Sequence, residues 1–494
     1  MEGKKKAFCL GLIIIVAATF FRFYKIDQTA PFLGDQGRDL LEIRASITAG
    51  RLPLVGPLSN FGVHAGPIYY YLAIPPLVLA NFYPLGPILF FTFFGVISSL
   101  LIFLIAKNLF GTIPAFFAAL LYACSPQIVQ QNLGFWNPIP IPLFSLLIIW
   151  ALYQIKEQKK LAWLIPLGIF SGIVIQFYPP AFYILAVVVI WLARQRLILT
   201  KWTLAGLAGF LLTLLPFLIF QLQNNFADVK NLLLLVLEKF LGTGASTVTQ
   251  NHSFLNSFST ILADQFQAIT ALPFWPLNLL LGVIILISGW KNYWHRFFTF
   301  WFLAGVFLIS LYPGTVHEHY ASPIWAIPFL LFASFLSQLM KRLPQRLVFA
   351  LVALLVCWQA ATFFKNFSAN KDLGRSQAAA NAIVKIAGNQ SFALLLLPDR
   401  SPSDAHLRYF LNLKRAPLQK IGTTGRLLVV CESDPCPKPA AMRNLKIVDS
   451  ACLPNCAPLD QQRTINLSDW RYLTTQNFLG GKVYLFEAAQ AGQN

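Results

Sequence analysis

Eleven stretches of this chain stay apolar for a length approaching that of a bilayer core, roughly 20 helical residues. Lipid offers the backbone no hydrogen bonds, so such a chain folds as a bundle of helices that satisfy their own peptide groups. The stretches lie near residues 7–24, 86–106, 112–130, 139–155, 161–177, 179–193, 203–222, 273–290, 297–312, 320–339 and 347–364. The first follows Lys4-Lys5-Lys6 and has the length of a signal-peptide core, but the many later stretches favour an uncleaved helix. With 12% of the residues charged, the chain carries half the charge density of a soluble domain.

A further apolar segment, GPIYYYLAIPPLVLANF at 67–83, holds Pro75-Pro76, and the basic residues decide its status. If it does not span, Lys4–Lys6, Lys107, the KEQKK run at 156–160, Arg194/Arg196/Lys201, Lys291/Arg296 and Lys341/Arg342/Arg346 share one side. Those loops hold 15 of the 22 basic residues of the first 364. If it spans, every later basic loop moves to the side opposite Lys4–Lys6, against the positive-inside tendency. Residues 67–83 are therefore expected to be re-entrant or interfacial. The N-terminus is then cytoplasmic, and loops 25–85, 131–138, 223–272 and 313–319 are extracytoplasmic, on a multi-pass protein of the plasma (inner) membrane.

Residues 365–494 carry 16 basic and 9 acidic residues in ordinary globular composition. Their pattern predicts a helix at 371–387, a strand in SFALLLLP, a second helix in SDAHLRYFLN, and strands in RLLVVCE and KVYLFE. The expected fold is a polytopic α-helical membrane domain, residues 1–364, followed by a small extracytoplasmic α/β domain, residues 365–494. The net charge of +19 sits in short runs between apolar segments. That is a topology signal, not a phosphate-binding stripe, so no nucleic-acid partner is expected. Cys9, Cys124 and Cys357 lie in spans, whereas Cys431, Cys436, Cys452 and Cys456 cluster in the tail. Four outside the membrane suggest two disulfides, although the C-x4-C and C-x3-C spacings also fit a zinc knot.

The membrane part is poor in carboxylates, and none lies mid-span, which argues against an ion-coupled transporter. Four of its ten, Asp27, Asp35, Asp39 and Glu42, fall in the first outer loop. From Asp35 no proline interrupts before Pro53, which predicts a helix of about fifteen residues ending at Gly50. Asp35, Arg38, Asp39 and Glu42 then share one face, and Leu40, Ile43 and Ile47 another. This is an amphipathic helix at the lipid–water boundary. It is either a solvated face with internal ion pairs or a site. A transferase whose donor sugar hangs from a lipid by a phosphate needs one carboxylate to take the acceptor's proton and cationic donors for the phosphate. Asp-x-x-Arg supplies both.

The GDQGRD run, followed about thirty residues later by HAGPIYYYL, resembles the first outer loop of the polytopic GT-C glycosyltransferases. The branch is that of the bacterial lipid A aminoarabinose transferases and protein O-mannosyltransferases. KNLFG at 107–111, Ser125-Pro126, GFWNP at 134–138 and His319-Tyr320 follow in the family's order, so the resemblance covers roughly residues 7–340. It implies that Asp35 is the residue the family is taken to use as catalytic base, and that Arg38 contacts the donor phosphate. Pro67 and Tyr69–Tyr71 match the proline-aromatic segment that helps build the cavity, with Asp39, Tyr69 and Tyr70 as lining residues. Two positions depart from the pattern: Gln36 replaces the second acid, and Gly66 a frequent lysine. His64 is either the replacement phosphate ligand or a surface histidine.

Asn132, Trp136 and Asn137 stand in the short loop QQNLGFWNPIP, which in oligosaccharyltransferase-like relatives carries acidic metal ligands. Here it has none, which implies an enzyme without metal or other cofactor. Trp136 is a sugar platform or an interfacial anchor. In YPGTVHEHY, His317, Glu318, His319 and Tyr320 either bind a metal or line the donor pocket. The 223–272 loop reads as a cover or a mobile lid over the cavity mouth. The expected activity is inverting transfer of a monosaccharide from a polyprenyl-phosphate donor to a lipid, protein or cell-envelope glycan acceptor. The rival is a lipid-linked glycan flippase, which predicts internal repeats and cation-lined helices, and neither is seen.

Overall fold

The computed structural model describes residues 2–59, 62–241, 253–312, 316–397, 400–401, 403–442, 444–448 and 462–488. Its first half runs α1 (Glu2–Phe23), α2 (Ile26–Thr29), α3 (Gly34–Thr48), α4 (Ile68–Leu79), α5 (Leu85–Phe110), α6 (Thr112–Cys124), α7 (Pro126–Asn132), α8 (Ile141–Lys156) and α9 (Leu164–Phe177). Then come α10 (Tyr183–Arg194), α11 (Lys201–Gln223), α12 (Ala227–Leu241), α13 (Phe254–Thr270), α14 (Trp275–Ser288), α15 (Tyr293–Ser310), α16 (Ile327–Arg342) and α17 (Gln345–Lys365).

Four helices, α1, α5, α11 and α17, are each long and apolar enough to cross a membrane. Three further spans would be bent pairs, among them α6 with α7 at 61° and α13 with α14 at 88°. The predicted spans at 139–155, 161–177 and 179–193 fall on shorter apolar helices, and that at 297–312 falls on the 18-residue α15. The α4 helix is 12 residues, about 18 Å, with Pro75 and Pro76 inside it, against a core of about 30 Å.

The α6–α7 bend has a visible cause. Pro126 cannot continue α6, and the last carbonyls of that helix need donors. Arg22, at the end of α1 and fully buried, donates to the Ala123 carbonyl at 3.0 Å and to Asn132 Oδ1 at 3.1 Å. Its guanidinium also lies over the Tyr122 ring. A cation at a helix C-terminus is favoured by the peptide dipoles as well as by the hydrogen bonds.

The segment 223–272 is not simply a covering loop. Its second half, α13, buries Ile261, Leu262, Phe266 and Ile269 in the main core. Gln359 of α17 donates to the Ala268 and Ile269 carbonyls at 3.1 and 2.7 Å, and Ser125 Oγ donates to the Ala268 carbonyl at 2.7 Å. Residues 242–252 of the polar stretch lie outside the described residues.

The tail contains α18 (Asp372–Ala387), β1 (Ala393–Leu396), α19 (Ala405–Leu413), β2 (Arg426–Cys431), β3 (Asn444–Val448), β4 (Gln462–Asn466), β5 (Trp470–Phe478) and β6 (Gly481–Ala488). The order β1-β2-β6-β5 makes a four-stranded sheet, with β1 and β2 parallel and the other pairs antiparallel; β3 and β4 pair separately. Both helices and three strands fall where the sequence predicts them, while β3, β4 and β5 were not foreseen. Cys431 and Cys436 are joined in a disulfide, and Cys452 and Cys456 lie outside the described residues.

Candidate active site

The α3 helix places three charged side chains together. Arg38 Nη1 lies 3.0 Å from Asp35 Oδ1, one turn back. Its Nε and Nη2 both donate to Asp39 Oδ1, at 3.0 and 2.9 Å, and the Tyr70 hydroxyl donates to the same oxygen at 3.3 Å. The two carboxylates differ sharply in environment. The Asp35 side chain is 53% exposed, that of Asp39 not at all. Asp35 is thus less desolvated than a buried interfacial base would be.

Burial pushes the Asp39 carboxyl up to about 6, with Arg38 pulling against it and Asp35 adding to the rise. Its second oxygen, Oδ2, is buried without a hydrogen-bond partner. Burial disfavours the Arg38 charge, but Asp39 and Asp35 outweigh it and hold the guanidinium protonated. A guanidinium offers five N–H groups. Three are used here, so two remain for an anionic oxygen.

Tyr69 and Tyr70, on α4, are 0% and 3% exposed. Tyr69 stacks on Phe135 with centroids 4.8 Å apart, so the two tyrosines back α3 and tie it to the GFWNP segment. The next residue of that segment, Trp136, meets the His319 ring edge-on at 4.5 Å. The Tyr178 hydroxyl and His319 Nε2 are 3.2 Å apart, and the Tyr320 ring packs against both Tyr178 and His319. Tyr178, absent from the sequence candidates, had only the YPP run at 178–180 to mark it. Asn137 is buried and donates to the Phe177 carbonyl at 2.6 Å, closing the end of α9 just before Tyr178.

Gly66 has no room for the family's lysine. A Cβ there would stand 2.4 Å from Gln176 Cγ, and the Gly66 N–H is already given to the Gln176 carbonyl at 2.9 Å. His64 is engaged elsewhere: its Nδ1 lies 3.1 and 3.2 Å from the two oxygens of Asp228, at the start of α12. Gln221 donates to the same carboxylate at 2.7 Å. His317 stacks on His319, and Gln131 bonds Glu318. Among the described residues no three His, Cys, Asp or Glu side chains are grouped as metal ligands.

Residues 64–220 match the family model described as dolichyl-phosphate-mannose-protein mannosyltransferase, a stretch that begins after α3. In fold the chain is similar to ArnT from Cupriavidus metallidurans in the apo state, at a TM-score of 0.63 and 12% identity over 100% of both chains. The same protein bound to undecaprenyl phosphate aligns at a TM-score of 0.55 and 12% identity, over 96% of this chain and 97% of that one. No curated protein matches the sequence. The similarity of fold to ArnT therefore extends over the whole chain.

Proposed function

We propose that the chain is an inverting GT-C glycosyltransferase that moves a monosaccharide from a polyprenyl-phosphate carrier to an acceptor hydroxyl on the extracytoplasmic face. The observation that carries this reading is the Asp35–Arg38–Asp39 constellation on one helix face, tied through Tyr70, Tyr69 and Phe135 to the segment whose Trp136 packs on His319. Asp35, half-exposed, takes the proton of the attacking hydroxyl. The acceptor oxygen bonds to the anomeric carbon as the sugar–phosphate bond breaks, and the electron pair leaves with the lipid phosphate. Arg38 receives the phosphate oxygens with its two free N–H groups, where charge grows as the bond breaks. Asp39, held by Arg38 and Tyr70, fixes the guanidinium. Trp136, His319 and Tyr320 shape the sugar's surroundings. The similarity to a protein that binds undecaprenyl phosphate supports a lipid-phosphate donor.

The test is transfer of radiolabelled sugar from a panel of polyprenyl-phosphate monosaccharides by the purified protein in membranes, with the product's anomeric configuration determined. Product of inverted configuration is expected. Retained configuration would contradict single displacement, and carrier translocation without transfer would favour the flippase.

A further inference from the structure

The helix that carries Asp35 caps itself only in part, with Gln36 Oε1 accepting the Leu33 N–H at 3.0 Å. Its N-cap position is Leu33, whose side chain has no acceptor for the first-turn N–H groups. The Gly34 N–H is instead accepted by Ser401 Oγ at 3.1 Å, from a residue 367 positions later in the C-terminal domain. Ser401 Oγ is itself fixed, donating to the Ser403 carbonyl at 2.7 Å.

The two glycines of GDQGRD have the same partner. A Cβ at Gly37 would stand 2.2 Å from the His406 backbone nitrogen, and one at Gly34 would stand 2.7 Å from Ser403 Cβ. Gly34 and Gly37 at i and i+3 thus make a bare stripe on which the start of α19 rests, backbone against backbone. At the other end of α3, Arg44 Nη1 donates to Asn412 Oδ1 at 2.8 Å. The α19 helix is seated firmly in turn. The Tyr409 hydroxyl donates to the Phe82 carbonyl at 2.6 Å, and buried His406 Nε2 lies 3.1 Å from Glu432 at the end of β2. The neighbouring chain is tied as well: the Lys371 N–H is given to the Gln28 carbonyl at 2.8 Å.

We propose that the C-terminal domain is a positioning element for the candidate catalytic helix, with Ser401 and Tyr409 as positioning residues that set the placement of Asp35. Asp35 directly follows the residue that Ser401 caps, so the cap fixes its height and rotation. This inference rests on the reading of Asp35 as the base.

The experiment uses the full chain in lipid nanodiscs with four variants: Ser401→Ala, Ser401→Thr, Tyr409→Phe and Asp35→Asn. Ser401→Ala and Tyr409→Phe should raise amide exchange across residues 34–48 while leaving that of α5 unchanged. They should lower kcat by between about 10- and 100-fold with little change in donor KM, and Ser401→Thr should restore both readouts. Wild-type exchange across 34–48 together with wild-type kcat in both variants would overturn the proposal. Full transfer by Asp35→Asn would remove the base reading alone, because exchange of α3 reports the positioning whichever residue takes the proton.

Discussion

Helices α3 and α12 are each fifteen residues long, each has an aspartate in its first turn, and neither is among the helices able to cross a membrane. They are held in opposite ways. The α3 helix is gripped along its length, by Ser401 at its start, by α19 against Gly34 and Gly37, by Tyr70 beneath Asp39, and by Asn412 at its end. It buries Leu40 and Ile43 completely. The α12 helix is held near its first turn. Asp228 receives His64 and Gln221, and Asn231 donates to the Gly62 carbonyl at 3.0 Å. Among the described side chains of α12 only Asp228 is buried, while Val229, Leu233 and Leu234 are each more than half exposed. A group that must meet a reacting atom to within a fraction of an ångström belongs on the first kind of helix. A segment that opens and closes belongs on the second.

The sharpest way to break this contrast is to remove the charge at the centre of α3. Arg38→Ala takes away the proposed phosphate partner and leaves Asp39 buried and uncompensated. Transfer should fall about 10²- to 10³-fold, and stability by about 3 kcal/mol, as expected when one member of a buried pair is lost. Thermal unfolding and kcat measured together would show both; an unchanged Tm would mean that Asp39 does not need its partner.

A smaller effect concerns the pH dependence of α3. Folding raises the Asp39 carboxyl from its ordinary 3.8 to about 6, so between these values the folded protein binds more protons than the unfolded chain. The contribution of Asp39 to stability therefore decreases as pH rises from about 4 to about 6, and is constant above. Unfolding of wild type and Asp39→Asn should diverge across that window and run parallel above it. Parallel curves throughout would contradict the burial.

The smallest effect belongs to α12. Hydrogen bonds and charge from His64, with a bond from Gln221, hold the Asp228 carboxyl below its ordinary value despite the opposing effect of burial. Its share of stability is therefore present above about pH 4 and is lost as pH falls through the depressed value. At neutral pH, Asp228→Asn should raise amide exchange over 227–234 and alter donor KM a few-fold, with kcat of the order of wild type. An effect on kcat as large as that of Arg38→Ala would place α12 in the reacting centre and dissolve the comparison.

The sequence revealed what is local. The run from Asp35 to Gly50, free of proline and carrying its acids and base at helical spacing, marked α3 within two residues of its observed bounds. The two prolines of the 67–83 segment fall inside α4, one of the shorter apolar helices. What was hidden depends on distant contacts. Gly34 and Gly37 look like flexible residues until α19 is seen resting on them. Gly66 looks like a lost lysine until Gln176 is seen filling its place. His64, by sequence a phosphate ligand or a surface histidine, has its Nδ1 held by Asp228, 164 residues later. Residues 112–130 read as one span, although Pro126 and the caged Arg22 bend it by 61°.

The central claim is that Asp35, the exposed carboxylate of a fixed helix, takes the acceptor's proton. Single-turnover transfer from a bound polyprenyl-phosphate sugar by wild type and Asp35→Asn, with donor binding measured on the same samples, tests it most directly. A loss of about 10²- to 10⁴-fold in the transfer rate with donor affinity unchanged is the expected result. Equal rates in the two proteins would contradict it.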